Sequence, residues 1–201
     1  MLYGVGLGPG SADLMTIRAR RVIQEVDEVI VPGRLSYELI YEIRPPRLVE
    51  FPMGNSEKVV NTLSKELSER CEKEDVAFAC LGDPVFFSTF HHVADKVREL
   101  NPDVQVEIIP GIPSFTSVFS RLKIFVDKPF LVTTSRFDEV THVVVLKATS
   151  PKKVMNILEN QGITRGVIAE KLYMEGEQIR EITSKDVPDK ANYLSIMVGF
   201  R

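Results

Sequence analysis

Residues 76–90 read VAFACLGDPVFFSTF. Val76, Ala77, Phe78, Ala79, Cys80 and Leu81 form an uninterrupted apolar run, which fits a strand covered on both faces, as in a parallel sheet. Gly82-Asp83-Pro84 breaks the run. Gly82 carries no Cβ, so a ligand can come close to its backbone. Pro84 fixes its own φ and pushes Asp83 out of the α region. Ser88 or Thr89 can cap a following helix, whose apolar positions Phe90, Val93, Ala94 and Val97 recur at helical spacing. The stretch thus predicts a buried strand, a stiff polar loop and a helix. Its carboxylate, Asp83, falls at the carboxyl end of a parallel strand, where open α/β sheets bind ligands. A plain strand-to-helix turn with an exposed Asp is the competing reading.

Working outward toward the start of the chain, residues 2–7 read as a first strand, turned by Gly8-Pro9-Gly10-Ser11. Thr16 is placed to cap a helix with Ala19, Val22, Ile23 and Val26 on one face. Residues 29–31 form a short strand ended by Pro32-Gly33-Arg34. Ser36 is a candidate cap for a short helix, and residues 48–51 read as a third strand. Asn55 or Ser56 starts a helix with Val59, Val60, Leu63, Leu67 and Cys71 in register. Beyond the central stretch, residues 104–109 are a strand closed by Pro110-Gly111-Ile112-Pro113-Ser114, and a helix from Ser114 to Leu122 carries Phe115, Val118 and Phe119. Strands follow at 130–133, 143–146, 166–169, 178–182 and 194–198. One helix lies among them, over 151–160, with Pro151 suited to its first turn. The βα alternation and its change predict two α/β lobes, 1–111 with a mostly parallel sheet and 112–201 with a mixed sheet.

The bulk composition narrows the function. The 201 residues carry a formal net charge of −3, so neither nucleic acid nor an acidic membrane is strongly attracted. Cys71 and Cys80 are the two cysteines; one falls on a helix and one in a buried strand, which argues against a disulfide framework or a metal site. No window approaches ~18 uninterrupted apolar residues, the span of a membrane helix, and a cytoplasmic protein is expected. The glycine-rich opening from Gly4 to Gly10 invites a dinucleotide-binding reading, but G-x-G-x-x-G fails. From Gly4 its sixth position is Pro9, and from Gly6 it is Ser11, so the glycine needed for close helix–strand packing is missing in both registers. A G-x-x-x-x-G-K-[ST] phosphate loop is also absent.

Taken together, these motifs resemble one known family. Gly6-Leu7-Gly8-Pro9-Gly10 with Leu14 and Thr16 is similar to the opening motif of the tetrapyrrole methylases. Leu81-Gly82-Asp83-Pro84 resembles their second motif, and Ile109-Pro110-Gly111-Ile112-Pro113-Ser114 their third. Val144-Val145-Leu146-Lys147 and Glu170-Lys171-Leu172-Tyr173 fall where the fourth and fifth lie, and residues 194–199 resemble the closing strand. Gly82-Asp83-Pro84 followed by Phe87-Ser88-Thr89-Phe90 is closest to the C-20 methyltransferase branch, with Phe87 where that branch has Tyr. Ser11-Ala12-Asp13 stands in place of D-P-E, and Lys171-Leu172-Tyr173 is bulkier than the family pattern.

The resemblance implies two αβα lobes with a cleft between them, S-adenosylmethionine as methyl donor, no protein-bound metal, and a homodimer. It implies methylation of precorrin-2 or cobalt-factor II at C-20 on the route to cobalamin. Other methylases of the same fold act on another corrin carbon, on a modified protein histidine (diphthine synthase) or on ribosomal RNA ribose. A non-catalytic tetrapyrrole-binding module is the rival from a different class. By the same resemblance, the donor meets Pro9, Leu81, Gly82, Asp83, Phe86, Pro113 and Ser114, with Lys147 and Leu172 contributing main chain. In-line methyl transfer needs donor and acceptor held near attack geometry, and positioning alone supplies about 7–11 kcal/mol. Asp83 is the side chain expected to do charge work at the reacting centre. A tetrapyrrole carries many carboxylates, which Arg grips bidentately; Arg34 is the first candidate, with Ser88 and Thr89 beside it. His91 and His92 begin the next helix and could approach the macrocycle.

Overall fold

Strand β4 (Val76–Cys80) is buried at every residue, as its unbroken apolar run requires. The structure is a computed structural model that describes residues 1–52, 56–132 and 140–201. It divides into two units, Met1–Phe130 and Leu131–Arg201.

The first unit contains β1 (Leu2–Gly6), α1 (Ile17–Glu25), β2 (Glu28–Val31), α2 (Arg34–Ile40), β3 (Arg47–Leu48), α3 (Glu57–Arg70), β4, α4 (Phe90–Leu100), β5 (Val106–Ile109) and α5 (Ser114–Leu122). Its five strands lie in the order β3-β2-β4-β1-β5, and every pairing is parallel. Gly6 stands opposite Cys80 and Val5 opposite Ile109. The two-residue period of β4 splits its side chains between two cores. Val76, Phe78 and Cys80 pack with Leu63 and Leu67 of α3 and with Phe90, Val93 and Val97 of α4. Ala77 and Ala79 pack with Ala19 and Ile23 of α1 and Ile40 of α2. The chain therefore leaves β1 toward one face and its neighbour β4 toward the other. Such a divergence opens a crevice at the carboxyl edge of the sheet.

Local details follow from turn and cap chemistry. Thr16 caps α1 as expected, its hydroxyl accepting from the Ala19 N–H at 3.1 Å. Ser36 does not cap α2; the helix already begins at Arg34, after Gly33, and Ser36 is buried within it. The third strand is the shorter β3 (Arg47–Leu48), held on the sheet edge. Ser56 takes the N-cap position of α3 without a side-chain bond, and Asn55 lies outside the described residues.

The second unit contains β6 (His142–Leu146), α6 (Pro151–Glu159), β7 (Arg165–Glu170), β8 (Gln178–Thr183) and β9 (Ser195–Phe200). Its sheet runs β6-β9-β7-β8, and every pairing is antiparallel, where a mixed sheet was expected. The crossover through α6 does make β6 and β7 run the same way, but β9 enters between them, antiparallel to both. Met155 and Leu158 of α6 pack with Ile168, Ile182 and Met197. Pro151 occupies the first turn of α6, as predicted.

The units divide after Phe130 rather than at residue 111. Aromatic contacts explain why α5 stays with the parallel sheet. The Phe115 ring meets Phe86 edge-on at 5.5 Å, and Phe130 packs against Phe115 and Phe119 at 6.2 and 5.6 Å. Residues 130–132 form no strand; Thr133, the last residue of that expected strand, lies outside the described residues. No described helix is long and apolar enough to cross a membrane.

Candidate functional site

At the carboxyl edge of the parallel sheet, the loops after β1, β4 and β5 meet backbone to backbone. Gly8 and Gly82 form a two-way bridge, with Gly82 N–H donating to the Gly8 carbonyl at 2.7 Å and Gly8 N–H to the Gly82 carbonyl at 3.2 Å. Gly111 presses against both loops: a Cβ placed there would lie 2.1 Å from the Gly82 oxygen and 2.8 Å from the Gly6 Cα. The opposite holds at Gly82. Its φ is +72°, and a Cβ built on it would meet nothing within 4 Å. The loop after β4 thus turns bare backbone toward open space at the divergence of β1 and β4.

Asp83 is not the exposed turn residue of the competing reading. It is 8% exposed. One carboxylate oxygen accepts from the Val85 N–H at 2.9 Å and the other from the Gly111 N–H at 3.0 Å. Around it Leu81, Val85, Phe86 and Phe87 are exposed. Phe87 holds a φ of +48°, a strained value for a bulky side chain and of a kind that gathers at functional sites. Behind the loop, burial pushes the Cys80 thiol up to about 11, against the opposing hydrogen bond from Ser88. Cys80 is therefore a neutral thiol at physiological pH and no nucleophile.

The remaining expected residues of the first unit fall into two groups. Pro9 is half-buried beside the Gly8–Gly82 bridge. Phe86 is fixed by its edge contact with Phe115. Pro113 stands at the N-cap of α5, where its carbonyl accepts from the Thr116 and Ser117 hydroxyls at 2.9 and 3.2 Å, and Ser114 opens the helix. Arg34 is exposed at the start of α2, on the same carboxyl edge, and makes no ion pair among the described residues. Ser88 is occupied locally: its hydroxyl accepts from the Phe90 N–H at 3.2 Å and lies 3.3 Å from the Cys80 sulfur. Through that bond it satisfies the first N–H of α4, from the position before the N-cap. Thr89 precedes α4 without a side-chain cap bond. The His91 and His92 rings are exposed and lie 3.8 Å apart.

In the second unit, Lys147 and Leu172 lie at matching ends of β6 and β7. Ala148 N–H donates to the Ser195 carbonyl at 3.2 Å and Lys171 N–H to the Leu194 carbonyl at 2.9 Å, so both strand ends meet the start of β9. Lys147, Lys171 and Tyr173 all adopt positive φ. Such clustered left-handed, non-glycine residues mark a shaped strand end. The Lys147 ammonium stands 5.3 Å over the Tyr193 ring, and its pairing with Tyr193 raises its pKa.

Sequence reasoning missed Gly111 as a partner of Asp83, Phe115 as the support of Phe86, and Tyr193 beneath Lys147. The Pro-Gly-x-Pro signature flagged the first as the end of a strand and part of a motif, with no sign of its partner. Among the described residues no group of three or more His, Cys, Asp or Glu is placed to hold a metal ion.

The model of the Tetrapyrrole (Corrin/Porphyrin) Methylases matches residues 1–188. A probable cobalt-precorrin-2 C(20)-methyltransferase of Methanocaldococcus jannaschii is 28% identical over 180 residues, which cover 80% of this chain and 77% of that protein. A precorrin-4 C(11)-methyltransferase of Rhodococcus erythropolis is 33% identical over 130 residues, 60% of this chain and 47% of that protein; the chain spans about half the length of this second relative. Among solved structures, a uroporphyrin-III C-methyl transferase from Thermus thermophilus, complexed with S-adenyl homocysteine, aligns over 100% of this chain and 97% of its own. The TM-score is 0.51 at 18% identity, a likeness of fold.

Proposed function

The chain belongs to the Tetrapyrrole (Corrin/Porphyrin) Methylases, which are S-adenosylmethionine-dependent methyltransferases, and on that premise we propose that it methylates C-20 of cobalt-factor II or precorrin-2 in cobalamin biosynthesis. The open side of Gly82 carries the assignment of the donor site. It lies where two neighbouring parallel strands send their chains to opposite faces, and it is flanked by the exposed apolar side chains of Leu81, Val85 and Phe86. A nucleoside presses readily on such bare backbone and apolar surface. The bound donor supplies an electrophilic methyl on a cationic sulfur. The chain's own task is to bind, orient and exclude water, which backbone loops pinned to one another perform well. Pro9, Leu81, Gly82, Phe86, Pro113 and Ser114 are the proposed donor contacts in the first unit. In the second unit, the left-handed backbone at Lys147 and beside Leu172 marks the end of the sheet proposed for ligand contact.

The choice of C-20 is supported by the Phe87-Ser88-Thr89-Phe90 sequence after Gly82-Asp83-Pro84 and by the relative that carries that activity in its name. Arg34 is the proposed anchor for a substrate carboxylate. Anaerobic incubation with S-adenosylmethionine and each ring, read by mass spectrometry and product NMR, is expected to give one added methyl at C-20. No methyl on either ring, with donor binding intact, would move the acceptor to that of a sister methylase, such as the C-11 enzymes.

A cytoplasmic homodimer is part of the same proposal. No residue of α5 is buried, and Leu122, Ile124 and Phe125 are 61%, 49% and 90% exposed. Apolar surface gathered in this way on one helix and its continuation is typical of an interface. The pair Leu122→Asp and Phe125→Asp is expected to halve the mass measured by sedimentation equilibrium. Wild-type protein already at the mass of one chain would overturn the dimer.

A further inference from the structure

We infer that Asp83 is a positioning residue: it clamps the loop after β5 to the loop after β4, and so sets the shape of the donor site without touching the donor. The inference rests on the donor site proposed above. Both carboxylate oxygens are turned to the protein's own backbone, one to Val85 N–H and one to Gly111 N–H. The side chain is 8% exposed. A carboxylate so far from water is tolerated when backbone donors satisfy it, and charge-assisted bonds of this kind are about twice as strong as neutral ones.

The two bonds do different work. The bond to Val85 fixes the side chain over its own turn, next to Pro84. The bond to Gly111 spans 28 positions of chain and holds Gly111 where its Cα face meets Gly82 and Gly6. With the Gly8–Gly82 bridge, and with the Thr16 hydroxyl donating to the Pro110 carbonyl at 3.4 Å, three loops become one connected backbone surface. Asp83 is the charged member of that connection. The open side of Gly82 is therefore shaped by an anion whose two oxygens are both bonded to backbone N–H groups.

Direct contact with the ligand's charges predicts something else, and three ligands tell the two apart. Of cationic groups, S-adenosylmethionine carries a sulfonium and an ammonium, S-adenosylhomocysteine only the ammonium, and methylthioadenosine neither; the first two also share an α-carboxylate. Calorimetric titration of wild type and Asp83→Asn with all three is the test, at a temperature where both are fully folded. Asn keeps the shape of Asp but can accept from only one of the two N–H groups, and its amide nitrogen faces the other. Affinity is expected to fall at least ~10-fold for all three ligands by the same factor, with the ratios between them unchanged. Amide exchange at Gly111 in the ligand-free variant should speed at least ~10-fold. Loss confined to the charged ligands would overturn the clamp in favour of direct contact, and unchanged affinity with unchanged Gly111 exchange would overturn it outright. Wild type that binds none of the three would overturn the donor site itself, and exchange at Gly111 would then decide the clamp alone. Asp83→Ala repeats the measurement with both bonds removed; the isosteric Asn variant keeps the test valid where Ala does not fold.

Discussion

Gly111→Ala is expected to abolish useful donor binding and to destabilise the first unit. The added methyl would stand 2.1 Å from the Gly82 oxygen, 2.8 Å from the Gly6 Cα and 2.9 Å from the Gly6 carbonyl carbon. All of these are backbone atoms, so no side chain can rotate out of the way. Either the end of β5 lifts from β1 or the Gly82 carbonyl turns, and Gly82 is held from the other side by its bridge to Gly8. Overpacking of this kind costs about 1–3 kcal/mol. Displacing the Gly111 N–H from Asp83 leaves a buried carboxylate short of a donor, which costs about 1–3 kcal/mol more. A total near 3 kcal/mol, borne at the site itself, corresponds to at least ~100-fold in donor affinity. Gly33→Ala is the control. A Cβ there meets nothing within 4 Å and the φ is an ordinary extended one, so stability should change by less than about 1 kcal/mol, the scale of an N-cap substitution. Calorimetric donor titration and urea unfolding of both variants give the comparison. Wild-type affinity in Gly111→Ala would mean that the meeting of the three loops is not part of the donor site.

The same contact shows what the sequence could and could not tell. β4 was legible because burial on both faces leaves no polar residue in it, and a run of that length between the charged residues 72–75 and Gly82-Asp83-Pro84 has few other readings. The carboxyl-edge location of Asp83 followed from the strand alone. Its direction did not, because the group that turns it inward, the Gly111 N–H, arrives from a loop 28 positions later. The end of the first unit failed for a related reason. The alternation of strands and helices stops at residue 111, but Phe130 is drawn back onto Phe115 and Phe119, and ring contacts leave no periodic trace. In the second unit each paired strand was visible in the sequence to within two residues of its bounds. The direction of β9 was not, since pairing partners are chosen by topology and not by pattern. Ser88 is the instructive site residue: a hydroxyl beside a glycine loop reads as a ligand contact, yet its nearest duty is the open N–H of Phe90.

Phe90→Ala is expected to be the most destabilising single change in the core, at about 3–5 kcal/mol by the usual cost of emptying a buried aromatic site. Phe90 is 1% exposed. Its ring lies 5.8 Å from Phe78 and crosses β1 at Gly4, where a Cβ would stand 2.2 Å from it. That glycine cannot fill the space Phe90 vacates, and Phe78 is also held by a T-shaped contact with Phe51, 5.9 Å away. The cavity therefore persists, which puts the cost toward the upper end of the range. Against a typical domain stability of about 5–15 kcal/mol, the variant should unfold at markedly lower urea, as read by far-ultraviolet circular dichroism. The backbone N–H of Phe90 survives the substitution, so the bond to Ser88 and the turn above it remain. Donor affinity of the folded variant should consequently stay within ~3-fold of wild type, less than 1 kcal/mol. A stability loss under about 1 kcal/mol would mean that α4 is not docked through this ring. Affinity falling in step with stability would mean that the core beneath the loop, and not the clamp across it, sets the shape of the site.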